Sequence, residues 1–275
     1  AGVIVACPRG SNSRGFSTSI ESAAEILYKD IGGKCLAVIN CCEHEFSLAT
    51  TDRGGSNPLN PIQQYYAITE ARRKADYVLV IVHGGHEHWQ LPSPRMVETY
   101  RFFIDAGADA VINHHQHCFS GYERYKGRMI FYGLGNFCFD NPNPPSELWY
   151  LGYALTLHFD NQSVGFRIHP YIQCKEKPFV CLIPYSDIQS RVDELNKVIS
   201  DKYALSQATQ EYYSECGEVV KSILYPITNR WINGLYRRSL FPSIISKKWL
   251  MALCNYVMCE SHRDKLDFYF EHNIY

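Results

Sequence analysis

The chain contains the stretch Tyr77-Val-Leu-Val-Ile-Val-His-Gly-Gly-His-Glu-His88 and, further along, Ala110-Val-Ile-Asn-His-His-Gln-His117. In each stretch, histidines follow directly after a short apolar run, and six of the eleven histidines lie in these two places. The first run is continuous rather than alternating, which is typical of a parallel strand covered on both faces. Because imidazole is the commonest metal ligand, the crowding of histidines at two strand ends indicates a metal site.

A helix is predicted between these two strands. Ser93-Pro94 is a typical helix start, Met96 and Tyr100 lie on one apolar face, and Gly107 is placed to end the helix. The order strand, helix, strand implies a right-handed crossover and two parallel strands, side by side or nearly so. Both strands then end at the same edge of the sheet, where α/β proteins bind ligands. We therefore expect the two histidine loops to converge in space.

The other segments complete an α/β pattern that ends in helices. Two hairpins are expected, around Gly32-Gly33 and Lys126-Gly127, and Asn60-Pro61 should begin a helix that runs to Lys74. The remaining predicted elements are a strand at 3–7, a loop at 8–15, strands at 148–159 and 164–171, and helices near 187–200, 205–224, 243–256 and 261–271. We predict a first domain at 1–185 and a helical C-terminal extension at 186–275.

The composition excludes several classes of partner. Lys+Arg total 27 against 28 Asp+Glu, the net charge is −1, and no long run of like charge marks a nucleic-acid or anionic membrane surface. No apolar segment approaches the ~18 to 20 residues that span a bilayer. The eleven cysteines are odd in number and scattered, which favours reduced thiols and a cytoplasmic location. A small-molecule or polymer-linked substrate is expected.

The predicted metal ligands are His83, His115 and His117. His115-Gln-His117 can aim two imidazoles at one metal or at two adjacent metals, and His83 can complete either site from the neighbouring strand. Imidazole-rich ligation suits a divalent transition metal, Mn, Zn or Fe, better than Mg or Ca. A hydrolytic site keeps a position open for water, whose pKa the metal lowers, and two ions can clamp the attacking and leaving oxygens.

Other polar residues near these ligands have less specific signals. Glu87 follows His83 by four residues and could be a carboxylate ligand, a base or a partner that orients a ligand. We predict that Glu87 and His115 are catalytic. His86, His114 and Asn136 are predicted to contact substrate, although the two histidines could equally be structural or merely exposed.

The segments His83-Gly-Gly-His-Glu87, Asn113-His-His-Gln-His117 and Ile130-Phe-Tyr-Gly-Leu-Gly-Asn-Phe-Cys-Phe-Asp140 resemble the CapA family of bacterial capsule and poly-γ-glutamate synthesis proteins. That family is similar to the calcineurin-like metallophosphoesterases. The resemblance implies an α/β fold, a layered α-β-β-α sandwich. It also implies that His83 and His115 hold one metal and that His117 holds the other.

This chain departs from the family pattern at the loops and in its N-terminal half. Gly84 replaces a Trp, Asn113 replaces a Gly and Gln116 replaces a Pro. A Gly-Asp, an Asn-Leu-Glu and an Asn-His-x-x-Asp of the family do not occur here. Either a segment is missing upstream or the site is degenerate, and we expect a missing N-terminal segment. Family members with an N-terminal anchor face outside the cell.

Three functions are compatible with these residues. The first is a CapA-like metal-dependent phosphoesterase or hydrolase in surface-polymer biosynthesis. The second is a non-catalytic assembly or binding factor for an anionic polymer, which uses the fold as a scaffold. The third is a mononuclear amidase or peptidase with Glu87 as base. Metal content and aryl phosphatase activity distinguish them.

Overall fold

The computed structural model of the protein describes residues 2–5, 16–44, 47–160, 163–228, 230–238 and 246–274. Its strands are β1 (Gly2–Val5), β2 (Phe16–Ser17), β3 (Leu27–Asp30), β4 (Cys35–Cys42), β5 (Gly55–Ser56), β6 (Tyr77–His83), β7 (Ala110–His114), β8 (Tyr122–Tyr125), β9 (Arg128–Phe131), β10 (Leu151–Phe159), β11 (Val164–Gln173) and β12 (Val180–Leu182). Its helices are α1 (Ile20–Ala23), α2 (Pro61–Lys74), α3 (Pro94–Ala106), α4 (Ser186–Ser200), α5 (Lys202–Thr228), α6 (Arg230–Arg237), α7 (Lys247–Met258) and α8 (Glu260–Ile274), with a 3-10 helix at Glu147–Tyr150.

The central layer is a six-stranded mixed sheet with the order β3-β4-β6-β7-β9-β8. Strands β4, β6, β7 and β9 run parallel, whereas β3 and β8 are antiparallel edge strands. The predicted parallel pair is confirmed, because β6 and β7 are direct neighbours and His83 lies opposite His114. Both predicted hairpins, β3 with β4 and β8 with β9, are confirmed as well.

Successive side chains of β6 pack into two different cores. Val80 points to the helix side, where it packs with Ile68 of α2 and Tyr100 of α3. Leu79 points to the opposite side, where it packs with Tyr153 of β10. A strand that is buried on both faces needs apolar residues at every position, which explains its continuous apolar sequence.

The second sheet is antiparallel and has the order β1-β10-β11-β12. It packs on the six-stranded sheet through side chains of β10 and β11 such as Leu155 and Val164. The predicted strand at 148–159 is confirmed as β10 from residue 151, but its start was wrong, because Glu147–Tyr150 forms a 3-10 helix in which the Trp149 amide donates to the Ser146 carbonyl. Residues 6–15, which include the predicted loop at 8–15, lie outside the described residues.

Helices α2 and α3, the six-stranded sheet and the four-stranded sheet are stacked as three layers. The predicted α/β class is confirmed. The helix termini also follow their sequence signals. The Asn60 side chain accepts hydrogen bonds from the Ile62 and Gln63 amides at the start of α2, and α2 ends at Lys74 as predicted. The Ser93 side chain caps α3 in the same way.

The α3 helix ends at a glycine for a steric reason. Gly107 has a φ of 121°, a conformation that side chains with a Cβ rarely adopt. The turn brings the Gly107 amide to the Ile104 carbonyl and leads the chain directly into β7.

The chain divides into two compact units, Ala1–Glu43 with Ser47–Leu205 and His44–Phe46 with Ser206–Tyr275. In the first unit, α4 contributes Ile188, Val192 and Leu195 to the core between the sheets. The predicted domain boundary near residue 186 stays a prediction.

The second unit is helical, as the sequence predicts for the C-terminal segment. The Tyr213 ring of α5 lies 5.5 Å from the Phe268 ring of α8, and the Trp249 indole of α7 donates to the Ile223 carbonyl. Helix α6 was not predicted, and residues 243–245 of the predicted helix near 243–256 are outside the described ranges. None of the helices in those ranges is both long and apolar enough to cross a membrane.

Candidate metal centre

The strand order places the predicted ligands at one sheet edge. His83 ends β6 and His114 ends β7, and the two residues are partners in the parallel register. Side chains alternate along a strand, so both rings point to the side that faces the second sheet. His115 and His117 follow in the loop after β7, and the predicted convergence of the two loops is therefore confirmed.

The rings of His83 and His115 are in direct contact. His83 Nε2 lies 3.0 Å from His115 Nδ1, and the ring centroids are 4.7 Å apart. Two imidazole nitrogens on one tetrahedral zinc ion would be about 3.3 Å apart at the usual Zn–N distance. The pair therefore fits a shared ion with only a small adjustment. The His117 ring lies 6.0 Å from that of His115.

The orientation of His117 is fixed by Asn136. The Asn136 side-chain amide donates to the carbonyls of His117 and Trp149, so its oxygen is the acceptor for His117 Nδ1 at 2.8 Å. His117 Nδ1 then carries the proton, and Nε2 keeps the lone pair that a metal requires. Trp149 stacks on the same ring with the centroids 5.1 Å apart.

The environment keeps two of these rings neutral. Burial, together with the neighbouring His115, His114 and His117, lowers the pKa of His83 to about 4. Part of the His83 ring reaches solvent, but the packed atoms around it displace most of its hydration. Burial likewise lowers the pKa of His114 to about 4. Neutral imidazole is the form that binds a metal.

The backbone of the site is strained. His115 has a φ of 118°, His117 a φ of 58° and His88 a φ of 63°. A residue with a Cβ that is held in such a conformation costs about 1–3 kcal/mol, and such residues cluster at functional sites. Contacts with the surrounding structure must therefore hold the loops after β6 and β7 in these conformations.

Asn113 is the main such contact. Its amide nitrogen lies 2.8 Å from the Gly84 carbonyl, 3.0 Å from Gln116 Oε1 and 2.9 Å from the Tyr132 carbonyl, and its two hydrogens are shared among these three acceptors. Its oxygen accepts from the Tyr100 hydroxyl. One fully buried side chain therefore joins the loop after β6, the loop after β7 and α3. The Gly that the family has at this position could make none of these side-chain bonds.

Sequence reasoning missed Glu43, which follows β4 at the same sheet edge. Glu43 is 1% exposed, its carboxylate accepts from Arg95 at 2.8 Å and from the Gly85 amide at 3.2 Å, and its own amide donates to the His83 carbonyl. A Cβ on Gly84 would lie 2.6 Å from Glu43 Cγ, so a Trp does not fit there. The apolar run that ends directly before Glu43 was a signal that could have identified it.

Glu87, the predicted base, lies at the open side of the site. Its carboxylate oxygens are 4.0 Å from His115 Nε2 and 4.0 Å from His88 Nε2, and its side chain is 54% exposed. Glu87 can reach a group bound at His115, and a base or ligand role stays a prediction.

The three predicted substrate contacts occupy different places. His86 is 1% exposed and packs beside Trp89, inside the loop. His114 is half-buried at the end of β7. Asn136 is buried and holds His117 in position. A direct substrate contact by any of the three stays a prediction.

Comparison with known proteins adds an independent finding. Residues 9–141 match the model of a family described as bacterial capsule synthesis protein PGA_cap. The capsule biosynthesis protein CapA of Bacillus anthracis is 33% identical over 132 residues, which are 46% of this chain and 32% of that protein. The PGA biosynthesis protein CapA of Bacillus subtilis (strain 168) is 34% identical over 128 residues, 46% of this chain and 33% of that protein. The chain therefore spans about a third of the length of these curated relatives.

Proposed function

We propose that this protein acts in capsule or poly-γ-glutamate biosynthesis as a metal-dependent hydrolase, because residues 9–141 match the model of a family of bacterial capsule synthesis proteins and resemble two CapA proteins of Bacillus. The observation that supports a metal most directly is the contact of His83 Nε2 with His115 Nδ1 at 3.0 Å, beside a third histidine whose Nε2 is left open by Asn136. The substrate that we propose is a phosphate ester or a polymer-linked group.

The proposed ligands are His83, His115 and His117, for one ion or two, and the metal is Mn, Zn or Fe. A bound ion of this kind would act as a Lewis acid and would lower the pKa of water in the site. Glu87 is the proton acceptor in this proposal, which is supported by the solvent exposure of its carboxylate and by its distance of 4.0 Å from His115 Nε2. Asn136 keeps the His117 proton on Nδ1.

Glu43 is a positioning residue in this proposal. Its buried ion pair with Arg95 and its bond from the Gly85 amide hold the start of the loop after β6. Loss of one member of a buried ion pair leaves the other charge uncompensated, which makes such pairs costly to break. Because Gly85 lies two residues after His83, these contacts hold the backbone that carries His83.

The experiment is a metal titration of chelator-treated protein by calorimetry. We expect Zn²⁺ or Mn²⁺ to bind the wild type, and His115→Ala to weaken binding at least tenfold. His158→Ala, which removes an exposed histidine of β10, is the matched control and should bind as the wild type does. Absence of binding by the wild type, or equal binding by His115→Ala, contradicts the proposal.

Activity is measured with an aryl phosphate in the presence of the metal that binds. We expect hydrolysis by the wild type and by His158→Ala, and a loss of about a hundredfold or more in Glu87→Gln, because removal of a general base has an effect of this size. Hydrolysis that Glu87→Gln leaves unchanged would exclude the proposed role of Glu87.

One observation favours a second function, a non-catalytic binding factor for an anionic polymer. The Glu43 carboxylate is already engaged by Arg95 and the Gly85 amide, so it is not placed as a bridging metal ligand. Metal binding without hydrolysis, together with retention of the protein by immobilised polyglutamate, would support this alternative over the hydrolase.

A further inference from the structure

Two cysteines from different segments meet near the histidine site. Cys138 lies after β9 and Cys174 directly follows β11, and their Sγ atoms are 3.7 Å apart. The neighbouring residues are joined as well, because the Phe139 amide donates to Gln173 Oε1 at 2.7 Å. A hydrogen bond from the backbone next to Cys138 to the side chain next to Cys174 therefore holds the two segments together beside the thiols.

The two thiols differ in access. Cys138 is exposed, whereas Cys174 is 7% exposed. Burial, followed by the hydrogen bond with Cys138, raises the pKa of the Cys174 thiol. An oxidant in solution therefore meets Cys138 first, and Cys174 lies behind it as a second thiol.

We propose that Cys138 and Cys174 are a modification site, a dithiol that closes reversibly to a disulfide when a small-molecule disulfide is present. A disulfide has an S–S length of about 2.0 Å, so the sulfurs must approach by roughly 1.7 Å. Cys138 is in a segment without helix or strand structure, which can supply this movement.

The chemistry balances with oxidised glutathione as the oxidant. The Cys138 thiolate attacks one sulfur of oxidised glutathione, and the glutathione S–S bond breaks. One glutathione leaves as a thiolate, and the other remains bound to Cys138 as a mixed disulfide. The Cys174 sulfur then attacks Cys138 Sγ and displaces the second glutathione. The two protons that the cysteines lose are taken up by the two glutathione thiolates. The protein dithiol is oxidised and glutathione is reduced.

The pair is connected to the orientation of His117. Phe139, next to Cys138, packs against the His117 ring with the centroids 5.4 Å apart, and its carbonyl accepts from the Trp149 indole. Gln173, next to Cys174, donates to the Trp149 carbonyl that Asn136 also uses. Closure of the disulfide therefore fixes the segment that supports His117.

The first experiment tests the bond itself. The full chain is incubated with mixtures of reduced and oxidised glutathione, alkylated and mapped by mass spectrometry without reduction. We expect a cross-linked peptide pair that contains Cys138 and Cys174, reversed by dithiothreitol. Cys138→Ser and Cys174→Ser should each abolish it, whereas Cys181→Ser, which removes an exposed cysteine of β12, should leave it unchanged. Glutathione that stays on Cys138 without the cross-link would overturn the proposal.

The second experiment tests the consequence for the site. Hydrogen exchange of peptides that cover residues 134–150 should slow at least twofold in the oxidised wild type and remain unchanged in Cys138→Ser under the same conditions. Equal exchange in the oxidised and reduced wild type would overturn the link to His117. Neither experiment requires a metal or an activity, so their outcome is separate from that of the proposed function.

Discussion

The loops that follow β6 and β7 both bring histidines to the same sheet edge, but their backbones differ. The loop after β6 begins Gly84-Gly85, and Gly85 takes a φ of 106° that glycine adopts at little cost. The loop after β7 places His115 and His117 at positive φ instead. The first loop has glycine at its φ of 106° and a histidine, His88, at a φ of 63°, whereas the second loop has a histidine at a φ of 118° and depends on contacts with other parts of the fold.

The contacts that hold the second loop are long-range. Asn113 joins Gln116 to Gly84 and Tyr132, and Asn136 bonds both the ring and the carbonyl of His117. The backbone strain of the loop after β7 is therefore offset by the buried side-chain amides of Asn113 and Asn136 and is not avoided with glycine.

The largest effect should come from Asn113→Ala, which removes the shared support of both loops. The change leaves several buried donors and acceptors without partners, and each costs about 1–3 kcal/mol, so we expect a loss of about 3 kcal/mol in the free energy of unfolding. Urea denaturation measures it. Asn143→Ala at an exposed position should change stability by less than about 0.5 kcal/mol. Similar values for the two variants would show that Asn113 does not support the loops.

An intermediate effect is expected for Gly85→Ala in the loop after β6. A Cβ there would be 3.0 Å from Met96 Cε and 3.3 Å from Gln116 Cγ, at a φ that alanine rarely adopts. We expect a loss of about 2 kcal/mol by urea denaturation. Gly165→Ala, at an ordinary φ with a nearest contact of 3.6 Å, is the control and should be close to wild type. A Gly85→Ala protein of unchanged stability would remove the contrast between the loops.

The smallest effect is expected from a pair of variants that measures the backbone strain in the loop after β7. His115→Gly and His115→Ala remove the same ring, but only glycine relaxes a φ of 118°. We expect the glycine variant to be more stable than the alanine variant by about 1 kcal/mol. At His158 in β10 the order should reverse, since glycine in a strand interior is less stable than alanine by roughly 0.5–1 kcal/mol. The same order at both positions would mean that His115 is not strained.

Local signals predicted much of the fold. The caps Asn60 and Ser93, the terminator Gly107 and the continuous apolar run of β6 each act within a few residues, so the sequence alone located α2, α3 and the parallel pair. For the site, the predicted strand order was enough to bring the two histidine loops to the same sheet edge.

The partners of the histidines were not predictable in the same way. Glu43 pairs with Arg95, which is 52 residues away in the sequence. Trp149 stacks on His117 from a 3-10 helix that had been predicted as the start of a strand. The predicted substrate contact Asn136 is bonded to His117 in the structure. No periodicity or cap signal connects residues so far apart, because their contact depends on how the layers pack.

Local sequence patterns were sufficient to predict the α/β class, the parallel order of β6 and β7 and the sheet edge at which His83, His115 and His117 lie. These predictions rest on the apolar pattern of a buried strand and on the residues that begin and end helices, and both signals act within a few residues. The side-chain contacts at that edge depend on how the layers pack. They are the 3.0 Å contact of His83 with His115, the hydrogen bond that keeps the proton on His117 Nδ1, and the approach of Cys138 to Cys174. Hydrogen-bond direction and thiol approach depend on ångström-scale packing between layers, which a linear pattern does not encode.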